Sequence, residues 1–163
     1  MIFSALLSKG GGSMWYYNEH VQATHGRDLF INGLEAIWLQ VKFPNTSALF
    51  SVTYRLPDDN DFFCLIEQSL EKAWLNSSCI TLLGYFNCDF SMREDCNGDS
   101  TKLHSIFEMF NMEIVIKAAT RITLTWGTLI DLIVTTRKDS VGITDVPPLG
   151  PRITILCMQL FFF

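Results

Sequence analysis

A chain of 163 residues with 48% hydrophobic and 18% charged side chains has the material for one globular domain with a sizeable core, which excludes disorder as its organising state. A net charge of -5 excludes the clustered-cation footprint of a tight nucleic-acid binder. Its acidic residues fall into two groups, Asp58, Asp59 and Asp61, then Asp89, Glu94, Asp95 and Asp99, and both read as solvated loops and first turns of helices.

The opening Met1 to Leu7 is apolar but has no basic residue before it and is too short a run for a signal peptide. Lys9-Gly10-Gly11-Gly12-Ser13 reads as a flexible lead and hairpin turn into Met14 to Tyr17, whose aromatics favour a strand. No Gly-Lys-Ser/Thr follows those glycines, so a phosphate cradle is not expected there. Residues 34 to 43 alternate as a strand, with Ile37, Leu39, Val41 and Phe43 on one face. Pro44 to Ser47 turns the chain, and Ala48 to Tyr54 returns as the second arm of an antiparallel hairpin.

The run Asp58-Asp59-Asn60-Asp61 offers caps to a helix carrying Phe62, Phe63, Ile66, Leu70 and Trp74 on one face and ending near Leu75. Asn76-Ser77-Ser78 then leads into Cys79-Ile80-Thr81-Leu82-Leu83-Gly84, a continuous apolar run of the kind buried on both faces of a sheet. A second helix begins near Ser100, with Leu103, Ile106, Phe107 and Phe110 in one stripe. Residues 113–116 and 129–136 are the last convincing strands. Beyond them the pattern decays through Pro147-Pro148 into an apolar tail that falls well short of the roughly 20 residues a membrane-spanning helix needs. No internal repeat is visible.

Five cysteines, Cys64, Cys79, Cys88, Cys96 and Cys157, are odd in number and contain no Cys-x-x-Cys pair, so they read as reduced intracellular thiols. His20, His25 and His104 lack metalloprotease spacing and read as surface or packing residues. The stretch from Asp95 to Asp99 fails as a calcium loop, because Ser100 and Ile106 stand where Gly and Glu are needed. Asp131 is harder to place as scaffold. Flanked by Leu129, Ile130, Leu132 and Ile133, it is a carboxylate in an apolar strand, and such a group needs a partner.

Tyr54-Arg55-Leu56-Pro57, Gly84-Tyr85-Phe86-Asn87 about 30 residues later and Ile130-Asp131-Leu132-Ile133 about 45 residues after that make a fairly specific order. From about Gly10 to Thr136 the chain resembles the endonuclease/exonuclease/phosphatase family, the DNase I-like fold, and within it the endonuclease domains of non-LTR (LINE-type) retrotransposons. The resemblance implies an α/β fold, a four-layer α/β/β/α sandwich, over residues 10–150, preceded by a non-family lead (1–9) and followed by an apolar tail outside the pattern (151–163). It implies a Mg²⁺-dependent phosphodiesterase acting on DNA. Tyr54 falls where the family's tyrosine hydrogen-bonds the scissile phosphate, Asn87 where its asparagine contacts phosphate, and Asp131 where its aspartate orients the catalytic histidine.

Tyr85 stands at the position of the family's signature Asp, exchanging a carboxylate for a phenol that is neutral at pH 7. The family's first strand and its Gln-Glu motif are not found, and Gly150-Pro151-Arg152 stands where Ser-Asp-His would close the domain. The sandwich is thus expected to be incomplete, lacking first and closing strands, and the chain to be a catalytically inactive fragment that does not bind Mg²⁺. Contact with the DNA phosphate backbone is expected to be weak, and no membrane association is expected. An unprotected sheet edge and the apolar tail favour self-association. The location expected is nuclear or cytoplasmic. The other reading is a non-catalytic interaction or non-functional fragment.

Overall fold

The computed structural model of the chain describes residues 2–8, 11–17, 19–91, 98–122, 125–145 and 157–160. Strands β1 (Ile2–Ser8) and β2 (Gly11–Tyr17) form one antiparallel pair. Next come β3 (Gln22–His25), β4 (Ala36–Lys42), β5 (Ser47–Tyr54), helix α1 (Phe62–Asn76), β6 (Ile80–Tyr85) and helix α2 (Gly98–Met109). The chain continues through β7 (Glu113–Ile114), β8 (Arg121–Ile122), β9 (Gly127–Thr128), β10 (Asp131–Thr135), β11 (Val141–Asp145) and β12 (Cys157–Leu160).

Six of these strands make the central sheet in the order β3-β4-β5-β6-β10-β7. The β4–β5 hairpin is antiparallel from Ala36 opposite Thr53 to Lys42 opposite Ser47, while β5 and β6 run parallel. A parallel pair needs a crossover, and α1 supplies it. Its apolar side chains recur at helical spacing, so Phe62, Phe63, Ile66, Leu70 and Ala73 are all buried. They meet Leu49, Ile80, Leu82, Leu132 and Val134 from the sheet and Leu103, Ile106 and Phe107 from α2 in a single cluster. Both helices therefore cover the same face.

The β1–β2 pair lies against β4 and β5 on the opposite face. There the Trp15 ring meets Phe50 edge-on at 6.4 Å, and its indole N–H donates to the Ile37 carbonyl oxygen at 3.1 Å. Among the described residues, the strands outside the central sheet form separate two-stranded pieces, β1–β2, β8–β9 and β11–β12. Among the described residues, α1 and α2 are the only α-helices, and no second helical layer is present. The α/β fold and its incomplete sandwich agree with the sequence reading.

Several local expectations change. The glycines at 11 and 12 belong to β2, with Gly11 opposite Ser8, and the partner strand β1 falls in the segment that the sequence reading took as a lead. The start of α1 is capped by Asp59 Oδ1, which accepts from the Phe62 N–H at 3.2 Å. Asp61 at the cap position makes no side-chain bond. Trp74 is not sealed on the buried face of α1. It is 46% exposed and its ring lies 6.2 Å from that of Phe110. The strand read at 113–116 pairs only over Glu113–Ile114, and that at 129–136 only over Asp131–Thr135. In the apolar tail, β12 pairs antiparallel with β11. Glu94, Asp95 and Cys96 lie outside the described residues. Among the described cysteines, Cys64, Cys79 and Cys88 are free thiols.

A candidate site at the strand ends

The last residue of β5, the last of β6 and the first of β10 fall in one row, because the register sets Tyr54 beside Tyr85 and Tyr85 beside Asp131. Residues paired across a sheet project from the same face, and here it is the face turned away from the helices. The row continues one strand further, where the Tyr54 N–H donates to the Glu35 carbonyl oxygen at 2.9 Å. Three of the four residues singled out from sequence are thus brought together by β-pairing. The fourth, Asn87, follows two residues after β6.

Gly84 makes this register possible. A Cβ there would overlap the backbone carbonyl of Thr53, so only glycine lets β5 and β6 approach at this point. The Tyr54 and Tyr85 rings stack with centroids 5.4 Å apart and planes 22° from parallel. The Tyr85 hydroxyl donates to Asn87 Oδ1 at 3.1 Å. Asn87 has φ of +51°, the left-handed region that asparagine tolerates better than most residues. Burial pushes the Tyr85 phenol above its ordinary value. Nearby Arg121 opposes that shift, while Tyr54 and Asp131 add to it, so the group carries no charge at neutral pH.

Several residues that fix the row were not found from sequence. The Thr120 hydroxyl oxygen accepts from the backbone N–H groups of Ile130 and Asp131 at 3.1 and 3.0 Å, anchoring the start of β10. Asp89, read from sequence as a solvated acid, is half-buried. Its Oδ1 accepts from Ser91 N–H at 2.9 Å, Ser91 Oγ at 2.7 Å and Leu129 N–H at 3.1 Å, joining the loop after β6 to the approach of β10. Asp99 does stand in the first turn of a helix, but it is paired with Arg55 at 2.7 Å. Glu35 Oε2 is buried with no hydrogen-bond partner. The only local signal for Arg55 was a cation one residue past an apolar strand, beside Phe62 and Phe63, where a buried charge calls for a counter-charge.

Mg²⁺ prefers an octahedral set of oxygen ligands built around carboxylates. Asp131 is the one carboxylate among the four sequence-chosen residues, and its neighbour in the row is a neutral phenol. Among the described residues, no three of His, Cys, Asp and Glu stand together in a way that could hold a metal.

No protein-family model and no curated protein matches the chain. Solved structures do. The endonuclease domain of TRAS1, a telomere-specific non-LTR retrotransposon, superposes with a TM-score of 0.79 at 10% identity, over 98% of this chain and 80% of that one. The 3′ phosphatase NExo from Neisseria, bound to a product DNA hairpin, gives 0.68 at 10% identity with the same coverage of 98% and 80%. An endonuclease/exonuclease/phosphatase family protein from Leptotrichia buccalis gives 0.61 at 12% identity, over 98% of this chain and 72% of that one. The chain has the DNase I-like fold, the fold of endonuclease and phosphatase domains.

Proposed function

We propose that this chain is the endonuclease-like domain of a non-LTR retrotransposon whose strand-end site no longer performs metal-dependent phosphodiester hydrolysis, with the domain proper spanning residues 10–150. Tyr54, Asn87 and Asp131 are remnants of the phosphate-contacting and histidine-orienting positions, and Tyr85 replaces the signature acid. The observation that carries this reading is the engagement of Tyr85 with two of the remnants, stacked on Tyr54 and bonded to Asn87 Oδ1. A phenol so placed supplies no negative charge for a divalent cation and occupies the acceptor that a neighbouring group would otherwise use. Hydrolysis of a phosphodiester depends on charge stabilisation in the transition state, and losing one such element typically costs about 10² to 10³ in rate. With a net charge of -5, contact with the DNA backbone is weak and salt-sensitive.

The decisive measurement is nicking of supercoiled plasmid in Mg²⁺. No nicking is expected from the chain as it stands, and none from Tyr85→Asp, because one restored carboxylate beside Asp131 still leaves the donor set short. Nicking by Tyr85→Asp that EDTA abolishes would overturn the reading and show that the remaining residues suffice.

A further inference from the structure

Arg55 has the largest side chain among the fully buried residues, 2% exposed one position beyond the end of β5. Its five N–H donors lie in one rigid plane, and their partners come from three separate segments. Nε donates to the Asp59 carbonyl oxygen at 3.3 Å, in the turn before α1. Nη1 donates to the Asn87 carbonyl oxygen at 3.4 Å and to Cys88 Sγ at 3.3 Å, in the loop after β6. Nη2 donates to Asp99 Oδ2 at 2.7 Å, in the first turn of α2. The guanidinium carbon also sits 4.7 Å from the centroid of the Phe63 ring. Enclosed in this way, with donors directed at named acceptors, Arg55 is not free to meet an anion, although it is the cation adjacent to Tyr54 in sequence.

We propose that Arg55, anchored by Asp99, is the positioning residue that holds Asn87 in its left-handed conformation and so aims Asn87 Oδ1 at the strand-end row. The guanidinium plane fixes the Asn87 carbonyl relative to α2 and the turn before α1. With the carbonyl fixed and φ at +51°, the side chain is directed to the Tyr85 hydroxyl. A lysine keeps the charge but offers a single point of attachment in place of the plane, so it cannot hold three segments in the same geometry. The proposal rests on the functional reading only in naming Asn87 a phosphate contact.

Ultraviolet titration of the Tyr85 phenol tests the proposal, taken as the difference between each protein and its Tyr85→Phe counterpart. The groups facing Tyr85 are Tyr54, Asp131 and Arg121, and none of them is altered in the variants. In folded Arg55→Lys, release of Asn87 opens Tyr85 to water, and its titration is expected to fall toward the ordinary phenol value of 10.0. Asp99→Asn should move it in the same direction by less. A folded Arg55→Lys with an unchanged Tyr85 titration would overturn the proposal and leave Arg55 as packing alone. If Arg55→Lys does not fold, an unchanged titration in folded Asp99→Asn overturns it equally. No nucleic acid or metal enters the measurement, so its outcome is independent of the plasmid assay.

Discussion

The two faces of the central sheet are built on different terms. Toward the helices, Leu49, Ile80, Leu82, Leu132 and Val134 are sealed against α1 and α2 in one large cluster. Toward the other side, the separate cluster is small, Val41, Ala48, Phe50 and Cys79, with Trp15, Ala23, Phe43 and Leu83 only partly covered around it. Burial of apolar area is the dominant favourable term in folding, so the helix-covered face holds the fold. The row of Tyr54, Tyr85 and Asp131 opens from the other face. On the proposed reading, that division lets Tyr85 stand at the position of a signature acid while the sheet order and register persist: the position falls where little of the stabilising core resides.

The largest effect expected belongs to the join between the faces. Gly84→Ala drives a Cβ into the Thr53 carbonyl, and relief requires β5 and β6 to separate, disturbing both faces together. A loss of at least about 3 kcal/mol is expected in denaturant unfolding. A near-neutral Gly84→Ala would mean that the β5–β6 register is loose at the site. A finer contrast comes from the two adjacent leucines of β6, which point to opposite faces. Leu82 is fully buried and Leu83 only partly so. Leu82→Ala is expected to cost about 3 kcal/mol, with the cavity term included, and Leu83→Ala about 1 kcal/mol. Equal costs would erase the distinction between the faces.

Legibility from sequence follows the same division. The stripes of α1 and α2 and the β4–β5 and β6 strands were readable because their burial repeats at helical or strand periods. Strand β3, at a sheet edge, was not, since residues 22–25 are mostly exposed, while the other edge strand, read at 113–116, is shortened to Glu113–Ile114. At the site, Tyr54, Tyr85, Asn87 and Asp131 were legible through motif order, and pairing sets three of them in one row. The Arg55–Asp99 pair joins residues 44 apart and leaves no periodic trace. Asp89 and Thr120 likewise act through backbone N–H groups that no local pattern announces.

The buried thiols report on the two faces separately. Cys88 belongs to the helix-side cluster, and burial pushes it from 9.0 up to about 11 despite the opposing pull of Arg55. Cys79 belongs to the small cluster and is raised by burial, with Arg137 opposing. A thiol raised in the folded state stays protonated after the unfolded chain has released its proton. Its stabilising contribution is therefore complete below pH 9 and is lost as pH rises through the folded value. For Cys88 that loss amounts to about 2 to 3 kcal/mol across the window from 9.0 to about 11. Unfolding measured against pH should show this slope, Cys88→Ala should flatten most of it, and Cys79→Ala should flatten less.

Small effects are expected at Tyr85 itself, which is where the comparison is most exposed. Tyr85→Phe keeps the ring that stacks on Tyr54 and loses one half-buried hydrogen bond to Asn87. Such a bond contributes about 0.5 to 1 kcal/mol net. Tyr85→Asp loses the stack as well and sets a carboxylate directly opposite Asp131, where like charges repel. Arg121 lies near enough to temper that repulsion. A cost of about 1 to 2 kcal/mol follows, to be read from thermal or denaturant unfolding and to grow at low salt, where charge repulsion is less screened. Both variants should remain folded with the sheet intact. If Tyr85→Asp instead destabilised the chain as much as Leu82→Ala, the tyrosine would be part of the folding core, and the site and the scaffold would not be separable in this fold.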